Sequence, residues 1–219
     1  MQVYKFGGAS VKDADGVKNL GKIVQSCQGK LWVVVSAMGK TTNALEAVLQ
    51  SWHGRDTPVA LQLLSGIKQQ HHLIIRNSFE GLACEPVIND VNEFFTALEQ
   101  RLKLGPSDNY NYNYDLVVSL GELVSTRIVY QYLKYLKLNV AWLDAGKIIR
   151  SDNRYREAKV DWQITEAKCQ AYLKDNPSDV MVTQGFIAQT AEGQRTTLGR
   201  EGSDYSAAII AYASKAEKV

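Results

Sequence analysis

The sequence predicts an α/β fold in which helices cover an open, mainly parallel sheet. Apolar runs of strand length alternate along the chain with longer segments whose apolar residues recur at helical spacing, which is typical of such sheets. The clearest run, Leu31–Val35, has no polar residue and is typical of a strand buried on both faces. With 219 residues, 45% of them apolar, the chain is long enough to form one large core.

Composition excludes several classes of function. The 25 basic and 23 acidic residues give a net charge of +2 without a basic block, so nothing recruits nucleic acid or a membrane surface. The N-terminus lacks the layout of a signal peptide, and no apolar run approaches the length of a bilayer span. The three cysteines and three histidines lack the spacing of disulfide or metal sites, so we expect reduced thiols in a cytoplasmic protein and no metal bound by histidine.

The first predicted unit is a strand, Gln2–Phe6, a glycine turn beginning at Gly7, and a helix capped by Asp13. A strand, a glycine turn and a helix make up half of a nucleotide-type α/β unit. Lys5 lies on the strand just before the turn. Its ammonium would reach an anion at the carboxyl end of the strand, and the alternative is an edge-strand lysine that blunts aggregation.

The second unit follows its strand with a loop rich in small hydroxyl residues, residues 36–43. Gly39-Lys40-Thr41 is similar to the end of a Walker A loop, but Val34 stands where that motif needs a glycine, so a P-loop is excluded. The loop suits a small polar substrate. Equally, a side chain from Thr41 to Asn43 would only cap the next helix.

The middle of the chain carries no catalytic pattern. Residues 58–104 are predicted to be helical, with a break at Glu85-Pro86, and to form a helical subdomain or cover. The Gly105-Pro106 turn and the following Asn-Tyr repeat predict a surface connector. Its tyrosines would also suit stacking on a base, which is the less favoured reading.

Further elements continue the alternation. Residues 115–119 are predicted to form a third buried strand, and Gly121-Glu122 opens the next helix. At that junction Glu122 would favour the helix dipole and would equally hold a substrate ammonium. The remaining predictions are strands at 139–144, 147–150 and 180–183, a loop at 151–161 and a helix at 164–173.

Residues 196–208 predict an anion site in front of the last helix. Two glycines frame Arg200 and Glu201, and Ser203 is placed to cap the helix. Backbone N–H groups at a helix N-terminus attract anions, and a guanidinium matches a carboxylate or phosphate. The alternative is an ordinary turn in which Asp204 only complements the helix dipole. The predicted apolar stripe of this helix is Tyr205, Ala208, Ile209 and Tyr212.

The candidate residues share one position in the predicted topology, because each comes just after a strand. In an open parallel sheet, ligands bind outside the carboxyl ends of the strands. We therefore expect Lys5, Thr42, Glu122 and Arg200 to converge on one crevice.

Five ordered motifs point to a family. They are Lys5-Phe6-Gly7-Gly8-Ala9-Ser10, Ser36-Ala37-Met38 with Thr42-Asn43, Gly121-Glu122 with Ser125, Gln184-Gly185-Phe186, and Thr196-Thr197-Leu198-Gly199-Arg200 with Gly202-Ser203-Asp204-Tyr205. In order and spacing they resemble the aspartate kinases of the amino acid kinase superfamily, over the whole chain. The resemblance implies a three-layer α/β/α sandwich. It also implies phosphoryl transfer from MgATP to the side-chain carboxylate of L-aspartate, the first step towards lysine, threonine and methionine.

The resemblance implies a role for each site residue. Lys5 would neutralise charge on the transferring phosphoryl group, and Asp204 would hold and orient the Lys5 side chain. Both are therefore candidate catalytic residues. The implied substrate-binding residues are Arg200 for a carboxylate, Glu122 for the α-ammonium, and Thr42 and Ser36. The implied ATP-phosphate-binding residues are Lys5, Phe6, Gly7, Gly8 and Ser203. ATP itself would hold Mg²⁺ with no metal site in the protein, and a homodimer is left open.

The chain departs from the family pattern at three positions. Ala9 replaces a threonine, while Glu201 and Ala188 replace glycines. A carboxylate at Glu201 would repel the substrate unless it turns outward. The family continues past the equivalent of Val219 with much of the adenine pocket and with ACT-type regulatory domains. We therefore expect residues 1–219 to be the substrate-side part of a kinase domain, with residues 58–104 as a helical cover and no ACT domain, and not to bind ATP normally by itself.

Two alternatives remain open. The first is a related kinase for glutamate, acetylglutamate or a nucleotide, which the Gly121-Glu122 motif and the motif around Arg200 disfavour. The second is a catalytically silent binding module, for which Glu201 and the absent nucleotide half are the motivation.

Overall fold

The computed structural model describes all 219 residues and contains eight α-helices and six strands. Four strands form one parallel sheet in the order β1-β2-β4-β3, namely β1 (Gln2–Phe6), β2 (Leu31–Val35), β3 (Val140–Leu143) and β4 (Val180–Gln184). A separate antiparallel hairpin joins β5 (Ile187–Gln189) to β6 (Arg195–Thr197). The helices are α1 (Ala14–Gln25), α2 (Thr41–His53), α3 (Thr57–Ser78), α4 (Cys84–Lys103), α5 (Tyr110–Val118), α6 (Leu120–Tyr135), α7 (Trp162–Asp175) and α8 (Gly202–Ser214).

The sheet is buried on both faces, which confirms the predicted α/β/α sandwich. Along β2, Leu31, Val33 and Val35 point into a core formed with α1 to α6. Trp32 and Val34 point into a second core formed with α7, α8 and β5. Because successive side chains of a strand alternate between faces, one continuous apolar run serves both cores.

The predicted helical region, residues 58–104, contains the antiparallel pair α3 and α4. Both helices pack into the larger core beside α2 and α6. Their break lies between Ser78 and Cys84, around a 3-10 turn at Gly81–Ala83. The prediction of a break at Glu85-Pro86 is therefore wrong. Pro86 lies in the first turn of α4, where a missing N–H costs no helical hydrogen bond.

Two predicted strands are wrong. Residues 115–119 belong to the end of α5 and the cap that follows, and α5 also includes most of the Asn-Tyr repeat that was expected to be a connector. A short apolar run such as Leu116-Val117-Val118 fits a buried helix as well as a strand. Residues 147–150 follow a 3-10 turn, Ala145–Lys147, and contribute one isolated bridge between Arg150 and Gln189. The strands predicted at 139–144 and 180–183 and the helix at 164–173 are confirmed.

The last helix, α8, buries only Ile209 of the predicted stripe, while Tyr205, Ala208 and Tyr212 are exposed. Tyr205 and Tyr212 are 39% and 60% exposed and pack against Trp162 of α7. The face that packs on the sheet is made of smaller residues, chiefly Ser206, Ala207, Ile209, Ile210 and Ala213. Small residues allow α8 to lie close to the sheet, so the large aromatic side chains remain outside. None of the eight helices combines the length and apolar character that a membrane crossing requires.

Candidate active site

A cavity of about 1000 Å³ lies at the carboxyl ends of the parallel strands, where the sequence predicted a crevice. Most of the predicted site residues line it, namely Lys5, Gly8, Ser36, Thr42, Glu122, Arg200, Ser203 and Asp204. Phe6 and Gly7 do not. The Phe6 side chain lies in the core, and its carbonyl accepts a hydrogen bond from the Ser36 amide at 3.0 Å.

Lys5 and Asp204 form an ion pair at one end of the cavity. Lys5 is the second-last residue of β1, and Asp204 lies in the first turn of α8. Lys5 Nζ and Asp204 Oδ1 are 3.0 Å apart, with the lysine side chain 23% exposed and the carboxylate side chain 63% exposed. An exposed ion pair of this kind contributes little to stability. Its effect is to hold the ammonium at the cavity wall, within reach of an anion.

The glycine turn after β1 interlocks with the loop after β2. The Gly8 carbonyl accepts a hydrogen bond from the Gly39 amide at 2.9 Å. A Cβ atom on Gly8 would lie 2.6 Å from the carbonyl oxygen of Ala37, so only glycine fits there. A Cβ atom on Gly7 would lie 3.4 Å from Lys5 Nζ. A phosphate group fits this corner, because a cation and side-chain-free backbone meet there.

Glu122 is buried in the cavity wall in the first turn of α6, with 4% of its surface exposed. Its Oε1 accepts a hydrogen bond from the Ala37 amide at 3.1 Å, while Oε2 is buried without a partner. Burial raises the pKa of Glu122 to about 8, against a smaller opposing effect of the Ala37 hydrogen bond. A substrate ammonium would supply the missing donor for Oε2 and favour the ionised carboxylate.

Two short contacts fix α6 against the loop that begins at Ser36. Ser125 Oγ donates to the Ser36 carbonyl at 2.8 Å. A Cβ atom on Gly121 would lie 2.8 Å from Ala37 Cβ, so glycine allows this close approach. The Gly121-Glu122-Ser125 motif therefore places the Glu122 carboxylate beside the β2 loop.

The hydroxyl residues of that loop are not helix caps, contrary to one of the readings from sequence. Lys40 occupies the N-cap position of α2 and makes no side-chain capping bond. The Thr41 hydroxyl donates to the Met38 carbonyl at 2.6 Å. Thr42 is half-buried and lines the cavity. No side-chain hydrogen bond caps the N-terminus of α2.

The loop before α8 brings Arg200 to the cavity. Arg200 is exposed and forms no ion pair within the protein. The N-cap of α8 is Glu201, with φ at 56° and ψ at 21°, and not Ser203 as predicted. Ser203 lies inside the first turn instead. Glu201 is exposed and lines the same cavity, so its carboxylate lies on the wall that presents Arg200.

The sequence-based reasoning missed one wall of the cavity. The segment at 151–161, predicted correctly as a loop, contributes Arg154, Tyr155, Arg156 and Lys159. The Arg156 guanidinium lies 4.3 Å from the centroid of the Tyr114 ring in α5. Three cations within six residues of a polar loop were the signal in the sequence. With Glu157 on the same wall, they leave this side of the cavity with a net positive charge, which favours anionic ligands.

Three residues of the cavity wall adopt backbone conformations that side chains rarely take. Arg156, Phe186 and Glu201 have φ values of 72°, 67° and 56°. Left-handed backbone at a residue other than glycine costs free energy and persists where the surrounding structure imposes it. Their concentration around one cavity supports a functional role for this region.

Comparisons with known proteins bear on the family and the fold. The model of the amino acid kinase family matches residues 1–219. The lysine-sensitive aspartokinase 3 of Escherichia coli K12 is 32% identical over 218 residues, which cover 99% of this chain and 47% of that protein. The bifunctional aspartokinase/homoserine dehydrogenase 2 of the same organism is 31% identical over 210 residues, 95% of this chain and 25% of that protein.

The fold is also similar to a solved structure of E. coli aspartokinase III in complex with lysine and aspartate. The TM-score is 0.88 at 28% identity, and the match covers 99% of this chain and 47% of that one. The chain thus spans about half the length of that aspartokinase III chain and of aspartokinase 3.

Proposed function

The chain belongs to the amino acid kinase family, and from that premise we propose that its site transfers the γ-phosphoryl group of MgATP to the side-chain carboxylate of L-aspartate, giving 4-phospho-L-aspartate. One observation carries the proposal. A single cavity presents the Lys5–Asp204 ion pair, the partnerless buried oxygen of Glu122 and the free guanidinium of Arg200. These are the groups that a phosphoryl group, an α-ammonium and a carboxylate require.

The amino acid is held by its two ends. Glu122 accepts the α-ammonium, Arg200 takes the α-carboxylate as a planar fork, and the hydroxyls of Thr42 and Ser36 fix the orientation. The side-chain carboxylate then faces Lys5. Positioning of this kind supplies much of the rate enhancement, because phosphoryl transfer needs little other chemistry from the protein.

The reaction is a displacement at phosphorus. A carboxylate oxygen of L-aspartate forms a bond to the γ-phosphorus, the bond to the β–γ bridging oxygen breaks, and ADP leaves. The attacking carboxylate is already ionised, so no general base is needed. Lys5 stabilises the charge on the transferring group, and Asp204 keeps its ammonium in place.

We propose that the ATP phosphates lie along Lys5 and the backbone of Phe6, Gly7 and Gly8, with Ser203 opposite. Phosphate oxygens and water would hold Mg²⁺, which usually keeps several waters when it binds beside phosphates. A solved structure of E. coli aspartokinase III contains aspartate and ADP, and it is similar to this chain with a TM-score of 0.79 at 29% identity. It supports the choice of aspartate and an adenine nucleotide as the two ligands.

Residues 1–219 are proposed to be the substrate-side part of the kinase domain, with α3 and α4 as its helical cover. The reaction is proposed as the first step towards lysine, threonine and methionine. Release of ADP that depends on L-aspartate tests the function, in the chain and, where its reading frame extends, in the longer product. L-glutamate and N-acetyl-L-glutamate serve as competing acceptors. Turnover with one of these and none with L-aspartate would replace the proposed substrate.

A silent binding module is the second candidate, favoured by the Glu201 carboxylate on the cavity wall. Calorimetry with L-aspartate and separately with MgATP distinguishes the two. Binding of L-aspartate without turnover in any length of the protein would favour the binding module.

A further inference from the structure

Asp115, near the end of α5, is completely buried and makes four hydrogen bonds through its carboxylate. The Arg156 amide donates to both oxygens, at 3.1 and 2.9 Å. The Thr197 amide donates at 2.9 Å, and the Thr197 hydroxyl donates at 2.6 Å. No residue of the predicted site lies among these partners.

The partners of Asp115 belong to two walls of the cavity. Arg156 lines one wall itself. Thr197 ends β6, and Arg200 follows it after only two residues. The two segments also pair directly, since the Ala158 amide donates to the Thr197 carbonyl at 3.0 Å and Glu157 bridges to Leu198. One carboxylate therefore anchors both arginine-bearing segments at the point where they meet.

Burying a carboxylate between two loops costs free energy. Burial raises the pKa of Asp115 to about 6, although the Thr197 hydroxyl and the two amides oppose this rise. The charged or titratable groups near it are Arg156, Tyr114 and Tyr155, and none forms an ion pair with it. The carboxylate is therefore satisfied by backbone N–H groups and a hydroxyl that approach it from fixed directions. Such a network holds the two segments in one relative position.

We propose that Asp115 is a positioning residue of the site, whose carboxylate holds the Arg156 and Arg200 segments in register and thereby sets the affinity for the amino-acid substrate. The identity of that substrate rests on the proposed function. The clamp, by which we mean the four hydrogen bonds from Arg156 and Thr197 to Asp115, does not rest on that function, because it joins two segments of the free protein. It acts through Arg156 and Arg200 and does not touch the ligand.

The test compares three threonine variants. Thr197→Val removes the hydroxyl donor to Asp115, and Thr197→Ser keeps it. Thr196→Val is the matched control, because Thr196 is equally buried and its hydroxyl contacts Ser151 Oγ at 2.6 Å instead of Asp115. Asp115→Asn is a second way to break the same contacts, because one carboxylate oxygen becomes an NH2 group that cannot accept a hydrogen bond from Arg156 or Thr197.

Each variant is treated with trypsin under native conditions, and cleavage after Arg156 and Arg200 is measured by mass spectrometry. Cleavage after Lys215 serves as the reference.

We expect Thr197→Val and Asp115→Asn to raise cleavage at both arginines about fivefold or more, and Thr197→Ser and Thr196→Val to resemble the original protein. The Kd for L-aspartate, measured by calorimetry, should weaken about tenfold in the first two variants only, the scale of a lost hydrogen bond to a charged group. A fall in Tm that Thr197→Val and Thr196→Val share would reflect a general loss of stability and not the loss of the contacts to Asp115.

Equal cleavage and equal Kd in Thr197→Val and Thr196→Val would overturn the proposal. Failure of both Thr197→Val and Asp115→Asn to fold, beside a folded Thr196→Val, would also overturn it, since Asp115 would then be a determinant of folding. If the original protein binds no L-aspartate, the proposed substrate is wrong. The cleavage pattern still decides whether the clamp exists.

Discussion

Lys5 at the end of the first strand and Asp204 at the start of the last helix are joined by an ion pair of 3.0 Å. The contact links the two ends of the chain across the carboxyl edge of the sheet. Because Lys5 shares the sheet face of Val3, which packs in the core with α8, the fold itself directs the ammonium towards Asp204. The ion pair is the most direct structural support for a site that handles a transferring phosphoryl group.

Removal of the ammonium should affect turnover more than binding. In Lys5→Ala, made in the longest natural product of the reading frame, we expect kcat to fall about 100-fold, the scale seen when one charge-stabilising donor is removed. Lys22→Ala, which removes an exposed lysine from α1, is the control and should leave kcat unchanged. Steady-state kinetics with varied ATP and L-aspartate provide the measurement. A rise in KM without a fall in kcat would show that Lys5 only binds.

Glu122 should release a proton when the amino acid binds. Its pKa of about 8 leaves it largely protonated at pH 7, and an ammonium against Oε2 favours the ionised form. Most of a proton should be released at pH 7, measured as the dependence of the binding enthalpy on the ionisation enthalpy of the buffer. Glu122→Gln should bind at least about tenfold more weakly and without buffer dependence. Equal enthalpies in phosphate and Tris for the original protein would contradict the assignment.

The same pKa affects stability with a defined sign. Folding raises the Glu122 pKa from 4.5 to about 8, so the ionised carboxyl destabilises the folded state. Its stabilising contribution is present below about pH 4.5 and is lost as the pH rises through about 8. Glu122→Gln should flatten this decline in denaturant titrations from about pH 5 to about pH 8, the range between the two pKa values. If the unfolding free energy of Glu122→Gln depends on pH as steeply as that of the original protein, Glu122 does not bind an extra proton in the folded state.

Glu201→Gly should improve both stability and substrate affinity. A left-handed backbone at residue 201 suits glycine, so we expect a gain of up to about 1 kcal/mol in the free energy of unfolding. Removing the carboxylate from the cavity wall should also lower the Kd for L-aspartate. Lys215→Gly is the matched control, because Lys215 has φ at 54° at the other end of α8. It should gain stability without a change in Kd. Identical Kd values in both variants would show that the Glu201 charge does not reach the substrate.

Gly8→Ala should disrupt the interlocked loops at the phosphate corner. Its Cβ atom would meet the Ala37 carbonyl at 2.6 Å, so we expect a loss of about 1–3 kcal/mol in unfolding free energy and weaker binding of MgATP. Gly66→Ala in the interior of α3 is the control, since nothing lies within 4 Å of its Cβ. That variant should gain up to about 1 kcal/mol. Equal stability of the two variants in urea titrations would contradict the interlocking.

The sequence allowed prediction of those parts of the site in which a strand leads directly into a glycine turn or a helix start. Lys5 was placed correctly because the carboxyl ends of parallel strands share one edge of the sheet. Glu122 also lines the cavity, but it follows the helix α5 and not the strand from which its place was predicted. The resemblance to a family added the roles of Arg200 and Asp204. The fold class followed from the alternation of buried runs and amphipathic segments, which the two cores confirm.

What escaped prediction depended on tertiary context. The run after Asp115 has no period that separates a buried helix from a strand, so α5 was taken for a strand and the contacts of Asp115 stayed hidden. The loop with Arg156 is held by its pairing with the end of β6 and with Leu198 and by its hydrogen bonds to Asp115, and these contacts leave no local pattern in sequence. The stripe of α8 was misplaced because close packing on the sheet selects small residues over Tyr205 and Tyr212.

Trapping the reaction product with hydroxylamine tests the central claim most directly, because hydroxylamine converts an acyl phosphate to a stable hydroxamate. With MgATP and L-aspartate, we predict an aspartyl hydroxamate formed at the side-chain carboxyl, identified by mass spectrometry, and almost none from Lys5→Ala. Release of ADP without hydroxamate, or a hydroxamate formed from L-glutamate and not from L-aspartate, would contradict the account.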